Sequence, residues 1–145
     1  MRYARENNAV NVLFFDPVKK QVMAELLSVV DAAFIGLQKQ SLFRFGVSPN
    51  KLFDYMLAAK PVIYSVEASN NPVRDADCGI STKAEDALDL SLAAHKLSQL
   101  SKEELREMGE RGRKFVMEKH DYRVLAKEFL AILENTVQQK RGTGS

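Results

Sequence analysis

Short apolar runs alternate with longer amphipathic stretches along this chain of 145 residues, and this alternation restricts the fold more than any other feature. Three runs have the length of strands and are mostly apolar, at residues 10–15, 32–37 and 61–66. Residues 79–82 form a shorter candidate. Continuous apolar runs suit strands that are covered on both faces, as in a parallel sheet between two layers of helices. The sequence therefore predicts an α/β fold with a Rossmann-like parallel sheet of about four strands.

A helix is predicted between the first two runs. Asp16 is a suitable N-cap and Pro17 a suitable first helical residue, and apolar residues then recur at helical spacing up to a predicted end near Asp31. Residues 2–8 have the composition of the last turns of another helix, which would lead into the first run. A helix is thus expected immediately before the first predicted strand.

The sequence after the last run is helical. Residues 84–100 are amphipathic, and Ser101 with Glu104 forms a capping box that begins a helix reaching Lys119. Asp121 can cap a final helix with an apolar stripe. Helices are therefore expected on both faces of the sheet and at the end of the chain.

Composition excludes several classes of protein. The formal net charge of +2 and the dispersed basic residues argue against nucleic acid as a partner, and no apolar run approaches the roughly 20 residues of a membrane-spanning helix. The single Cys78 leaves no internal disulfide, so a cytoplasmic location is expected. One domain is predicted over residues 1–138, followed by a disordered tail or a cloning remnant at 139–145, which is polar and contains glycine.

The stretch from residue 45 to 65 combines a turn, a helix start, an acid and a strand. Ser48 is a good N-cap and Pro49 a good first residue, so free N–H groups are expected near Asn50 and Lys51. A helix N-terminus attracts anions, and a lysine there could help to hold a diphosphate. Asp54 lies one turn further on the same face, where its carboxylate could accept the hydroxyls of a ribose. A surface pair of Lys51 with Asp54, without any ligand, is the alternative.

Three segments resemble a known family: "GVSPNKLFDYMLAAKPVIYS", "NNPVRDADCGI" and "EMGERGRKFVMEKHDYRVLAKEFL". They resemble the C-terminal, donor-binding domain of family-four glycosyltransferases of the GT-B fold, and above all the bacterial enzymes of surface-polysaccharide assembly, which include the fucosamine transferases. The resemblance implies a retaining, metal-independent transferase that needs no cofactor and uses a nucleotide sugar, with UDP as the expected nucleotide. The acceptor would be lipid-linked or a polysaccharide, and the product would belong to surface polysaccharide or lipopolysaccharide. The full-length enzyme would work in the cytoplasm, at the inner face of the membrane.

The resemblance also implies roles for particular residues. Asp54 would bind the nucleotide ribose, and the preceding loop and helix start would approach the diphosphate and the donor sugar. These donor-binding residues are Gly46, Val47, Ser48, Pro49, Asn50 and Lys51. The turn formed by Asp16, Pro17 and Val18 falls where relatives place the base-binding loop. No catalytic residue and no metal ligand is assigned.

The chain departs from the family in three respects. Many relatives carry two glutamates separated by seven residues, whereas this chain has Gly46 at the first position and Asp54 at the second. The backbone of residues 46–48 could replace part of the missing contact to the donor sugar. Ala59 stands where a helix-ending glycine is common. The first two strands of the family's domain and its whole acceptor-binding domain have no counterpart, so a partial domain without activity of its own is expected.

Two other functions are compatible with the sequence. The chain could be a binding-only or inactive remnant of such a transferase, or part of a related nucleotide-sugar epimerase, which the "SPNKLFDYM" segment makes the weaker alternative.

Several isolated residues have both a functional and a structural interpretation. Asp75 and Asp77 imitate a metal-binding Asp-x-Asp motif, but a short surface helix is favoured there. His95 and His120 are expected at the surface or at a helix end, and Cys78 is expected as a buried, inert thiol. Arg44, in the loop before "SPNK", could reach a phosphate or be solvated.

Overall fold

The structure is a computed structural model that describes residues 2–142. Its elements follow one another as α1 (Arg2–Glu6), a 3₁₀ turn (Lys20–Val22), α2 (Met23–Val29), β1 (Ala33–Gly36), a second 3₁₀ turn (Ser41–Phe45), α3 (Asn50–Leu57), β2 (Val62–Ser65), α4 (Pro72–Asp75), β3 (Gly79–Thr82), α5 (Ala87–Ser98), α6 (Lys102–Lys119) and α7 (Tyr122–Gly142).

The three strands form one parallel sheet in the order β1-β2-β3. Ala33 is opposite Val62 in the first pair, and Ile63 is opposite Ile80 in the second. All four residues of β2 are buried, because this strand has a neighbour on each side and helices on each face. Three of the four predicted strands are therefore confirmed, as is the predicted class of fold.

Helices cover both faces of the sheet, as predicted. On one face Leu52 and Met56 of α3 and Val116 of α6 form a core cluster with Tyr64 of β2. On the other face the small Ala93 and the larger Leu97 of α5 pack against Ile63. The central strand is thus enclosed between two apolar layers.

Helix α6 crosses the end of α3 at close range. A Cβ atom at Gly109 would lie 1.8 Å from the carbonyl oxygen of Ala59, and one at Gly112 would lie 2.9 Å from the Cβ of Cys78. Ala59 itself has a φ of 53°, the left-handed conformation that is expected where a glycine is common. Glycine on α6 therefore allows the two helices to approach and fixes the orientation of α3.

The prediction of a strand at residues 10–15 is wrong. This segment is irregular, and the side chains of Val10 and Phe15 are each 80% exposed. A strand exists only when its backbone groups pair with a neighbour, and within residues 2–142 β1 pairs with β2 alone. The sheet described has three strands rather than about four.

The prediction that the next helix begins at Pro17 is also wrong. The chain stays irregular through Lys19, makes a 3₁₀ turn, and becomes α-helical at Met23. The helix ends at Val29, close to the predicted end near Asp31. A local cap and proline did not suffice here, because most of the stability of a helix comes from packing its apolar face.

The later helices agree well with the sequence. The capping box of Ser101 and Glu104 is formed, and Asp121 Oδ1 accepts the backbone N–H of Arg123, 2.8 Å away. Helix α5 begins at Ala87, later than predicted, because Asp86 caps it.

The tail predicted at residues 139–145 is only partly within the described chain. Helix α7 continues to Gly142, so residues 139–142 are helical and not a tail. Residues 143–145 of that prediction lie outside the described residues.

Candidate functional site

Helix α3 begins one residue later than predicted. Its N-cap is Pro49, with φ −69° and ψ 116°, and no side chain makes a capping hydrogen bond, so the prediction that Ser48 is the cap is wrong. The extended ψ of Pro49 makes Asn50 the first helical residue. Within residues 2–142 the N–H groups of Asn50 and Lys51 have no internal acceptor.

At the start of α3 the polar side chains lie on the exposed face and the apolar side chains lie on the buried face, as helical spacing predicts. Asn50, Lys51 and Asp54 are exposed, whereas Leu52 and Met56 are fully buried. Across residues 2–142 neither Lys51 nor Asp54 forms an ion pair or a side-chain hydrogen bond, so the surface pair that was the alternative to a ligand is not formed. One cation, one carboxylate and two backbone donors are therefore open to a ligand on one face of α3.

The loop before α3 is held by the loop after β2. The Val47 N–H donates to Asn70 Oδ1 at 2.8 Å, and Asn70 Nδ2 donates back to the Val47 carbonyl at 2.9 Å. The Ser69 N–H donates to the Phe43 carbonyl at 3.1 Å. Gly46 permits the turn with a φ of 98°. These bonds give the α3 start a fixed position at the carboxyl end of β2.

The same bonds limit what the backbone of residues 46–48 can do. The Val47 N–H already donates to Asn70, so it is not open to a donor sugar, and its carbonyl already accepts one hydrogen bond from the same residue. At Val47 only the second lone pair of the carbonyl is left to replace part of the contact of the missing glutamate. Sequence reasoning did not single out Asn70, although the two asparagines before Pro72 are typical of a loop.

A cleft of about 530 Å³ opens beside this loop, at the carboxyl end of β2. It lies between the second 3₁₀ turn and α4, and its lining includes Gln40, Ser41, Arg44, Glu67, Asn71 and Arg74. In α/β proteins ligands bind outside the carboxyl ends of parallel strands. The loop at residues 66–71 lines the cleft and also carries Asn70, so the cleft and the α3 start are neighbours.

The turn predicted to bind the base lies elsewhere in the chain. Asp16, Pro17 and Val18 are exposed and irregular, in the segment before α2. No hydrogen bond or ion pair in the described chain joins them to the start of α3. Within residues 2–142 the two predicted parts of the donor site are thus not joined by a hydrogen bond or an ion pair.

Asp75 is the last residue of the short helix favoured there, and Asp77 lies in the turn that follows it. Asp75 lies 3.8 Å from Arg74, and Asp77 lies 3.2 Å from Arg111 across to α6. Over residues 2–142 no group of three or more His, Cys, Asp or Glu side chains is placed to hold a metal ion.

The remaining candidates have structural positions. His95 is exposed on α5, and His120 ends α6 with its ring 4.5 Å from that of Phe53 and 5.5 Å from that of Phe115. Cys78 is fully buried, and burial raises the pKa of its thiol to about 11. A thiol that stays protonated is a poor nucleophile, so Cys78 is a core residue.

Comparisons with known proteins support the fold. No protein-family model and no curated protein sequence matches the chain. A solved structure of a sucrose-phosphate synthase from Thermosynechococcus elongatus, a GT-B glycosyltransferase, is similar with a TM-score of 0.70 at 16% sequence identity. The similarity covers 95% of this chain and 33% of that one. The chain therefore has the α/β fold found in part of a GT-B glycosyltransferase.

The sequence predicts that the chain has no membrane-spanning helix, and the helices of the structure can be compared with that prediction. None of those within residues 2–142 combines the length and the apolar character that a membrane-spanning helix requires.

Proposed function

We propose that the chain is the nucleotide-sugar-binding part of a retaining glycosyltransferase, with a UDP-linked sugar as its donor. In the complete enzyme the acceptor is lipid-linked or a polysaccharide, and the product belongs to bacterial surface polysaccharide or lipopolysaccharide. The resemblance of "GVSPNKLFDYMLAAKPVIYS" to family-four transferases supports this assignment, and so does the likeness of the fold to a third of a GT-B enzyme.

The open start of α3 is the observation that carries the proposal. Because Pro49 is the N-cap and no side chain caps the helix, the N–H groups of Asn50 and Lys51 remain available for an anion. The Lys51 ammonium adds a full charge at the same place, and its lack of an ion pair in the described chain leaves that charge uncompensated. A diphosphate is the anion that matches both features and lies within reach of the ribose partner Asp54.

The role of this site in the reaction follows from its charge. When the bond between the sugar and the diphosphate breaks, negative charge grows on the leaving oxygen. Fixed N–H dipoles and the Lys51 ammonium stabilise that charge more than they stabilise the intact donor. Asp54 has a different task, because its carboxylate accepts hydroxyl donors and holds the ribose in place.

A binding-only remnant is the second candidate, and one observation favours it. The chain has Gly46 in place of the family's first glutamate, and the Val47 backbone that could replace it is paired with Asn70. Such a protein would bind the nucleotide but would hold the sugar weakly. A nucleotide-sugar epimerase fragment would also bind UDP, and the products formed from a UDP-sugar would distinguish it.

Titration of the ¹⁵N-labelled chain with UDP tests the proposal. The amide signals of Ser48, Asn50 and Lys51 should shift at lower UDP concentrations than those of residues 75–77, because the open N–H groups are at the α3 start. Lys51→Met should weaken binding with the fold unchanged. The opposite order of shifts, or no shift at millimolar UDP, refutes the assignment.

Activity distinguishes the two candidates only in a longer protein. The chain corresponds to 33% of the sucrose-phosphate synthase that it matches, so we expect no turnover of a UDP-sugar by these 145 residues alone. Turnover above a matched blank would contradict this expectation. Transfer to an acceptor after fusion to an acceptor-binding domain would support the transferase over the remnant.

A further inference from the structure

The residues that line the cleft beside α4 carry more positive than negative charge. Arg44 and Arg74 line it together with a single carboxylate, Glu67. Glu67 Oε1 is 3.1 Å from the Lys39 ammonium and forms an ion pair with it, so this carboxylate has a cation of its own outside the two arginines. The cleft is therefore positive, although the whole chain carries a formal charge of only +2.

Arg44 and Arg74 both have N–H donors that can bind a ligand. The Arg44 guanidinium lies 4.7 Å from the centre of the Phe45 ring, a contact that orients the group without using its N–H donors. Arg74 has a largely exposed side chain and, among residues 2–142, one ion pair, a loose one of 3.8 Å from its Nε to Asp75. Both groups can therefore make paired hydrogen bonds to a carboxylate or a phosphate.

The position of Arg74 is fixed by a buried asparagine. Asn71 Oδ1 accepts the Arg74 N–H at 3.0 Å, and Asn71 Nδ2 donates to Ser81 Oγ at 2.8 Å. Asn71 is nine-tenths buried or more, so this cap is a rigid part of the fold. Arg74 thus projects from a fixed helix start and not from a loose loop.

Neutral polar groups complete the lining. Gln40 and Ser41 line the cleft, and their side chains have no hydrogen bond within the described chain. An amide and a hydroxyl suit the hydroxyl groups of a sugar. The volume of about 530 Å³ lies in the usual range of small-molecule sites.

We propose that this cleft binds the acidic group, a carboxylate or a phosphate, of an anionic sugar. The proposal names a substrate class for the enzyme proposed above and rests on that function for the ligand being a sugar. The binding itself is a separate event from UDP binding at α3, since Lys51 and Asp54 do not line the cleft.

Titrations with glucuronate, glucose 6-phosphate and neutral glucose, at equal ionic strength, test the proposal. At least one acid should bind about tenfold more tightly than glucose, as expected for hydrogen bonds to a charged group. The tighter of the two acids identifies the group as carboxylate or phosphate. The amide signals of Ser41, Arg44 and Arg74 should shift in the unmodified chain.

Variants provide the second part of the test. Arg44→Gln and Arg74→Gln should each weaken binding of the tighter acid about tenfold. Arg113→Gln is the matched control, because Arg113 is a surface arginine on α6 with a loose 3.9 Å pair to Glu110 and should leave binding unchanged. A melting temperature near that of the parent shows that each variant is folded. If a variant fails to fold, the amide shifts of the unmodified chain decide.

The results separate this proposal from the proposed function. Lys51→Met should reduce UDP affinity and leave acid-sugar affinity unchanged. If UDP does not bind but an acid sugar does, the function proposed above fails and the cleft assignment stands. If both acids bind no better than glucose, or shift none of the three amides, the cleft assignment is overturned. An equal loss of affinity in Arg113→Gln overturns it as well.

Discussion

Gly109 of α6 lies close to the backbone of Ala59, just after the end of α3, and adding one methyl group there tests how α3 is held. In Gly109→Ala the new Cβ would lie 1.8 Å from the carbonyl oxygen of Ala59 and 2.4 Å from its carbonyl carbon. Both atoms belong to the backbone, so no side-chain rotation relieves the overlap. Since non-bonded atoms rest at roughly 3.5 Å, α6 must move away from the end of α3 by more than about 1 Å.

The expected loss of stability combines two effects. Forcing an extra carbon into a well-packed contact costs about 1–3 kcal/mol, and a clash with backbone on a helix crossing belongs near the upper end, at about 3 kcal/mol. Alanine is favoured over glycine inside a helix by about 1 kcal/mol, which offsets part of that cost. The free energy of unfolding should therefore fall by about 2 kcal/mol, or the melting temperature by roughly 4–8 °C.

Urea unfolding followed by circular dichroism measures this change. The midpoint should fall for Gly109→Ala with an unchanged dependence on urea. Gly36→Ala is the matched control, because its Cβ would meet only the outer atoms of the exposed Phe34 ring, which can rotate away. Gly112→Ala should be intermediate, since its nearest neighbour is the Cys78 side chain. A Gly109→Ala chain as stable as the parent would refute the close crossing of α3 and α6.

Three further predictions concern the core. Ala59→Gly should raise the free energy of unfolding by about 1 kcal/mol in urea titration, because φ is 53° there, and an unchanged or lower value would contradict the left-handed conformation. Tyr64→Phe should raise it by roughly 1 kcal/mol, since the buried Tyr64 hydroxyl has no hydrogen-bond partner in residues 2–142, and a large loss would reveal a hidden partner. Burial raises the pKa of the Cys78 thiol from 9.0 to about 11, so the folded chain keeps a proton that the unfolded chain releases. Stability should therefore fall as pH rises from about 9 to 11, and less so in Cys78→Ala; equal pH dependence in both chains would exclude this cause.

The strands that formed could be predicted because their apolar pattern and their surroundings agree. The run at 61–66 is apolar on both faces, and β2 is indeed covered by helices on both faces. The run at 10–15 has the same pattern but no strand beside it in the described chain. Apolar composition indicates that a segment can be a strand, whereas only a neighbouring backbone makes it one.

The candidate site could be predicted in part for a similar reason. The exposure of Asn50, Lys51 and Asp54 follows from helical spacing, which the sequence shows directly. The bond between Val47 and Asn70 joins residues 23 positions apart, and no local pattern reveals it. The cleft at Arg44 and Arg74 likewise depends on how two loops meet at the end of the sheet.

Binding of UDP and of uridine to Asp54→Asn tests the central claim that α3 holds a nucleotide through its ribose and its diphosphate. Asp54 is exposed and without a partner in the described chain, so the near-isosteric change should leave the melting temperature unchanged. It should weaken the binding of both ligands by roughly 1.5–3 kcal/mol, the range for hydrogen bonds to a charged group.

Lys51→Met provides the comparison in the same calorimetric titrations. It should weaken UDP binding but leave uridine binding almost unchanged, because uridine has no phosphate for the α3 start to hold. A nucleotide site at α3 should give this crossed pattern, with Asp54→Asn affecting both ligands and Lys51→Met affecting UDP alone. An Asp54→Asn chain that binds UDP as tightly as the parent and unfolds more easily would show that Asp54 stabilises the fold and does not bind the ribose.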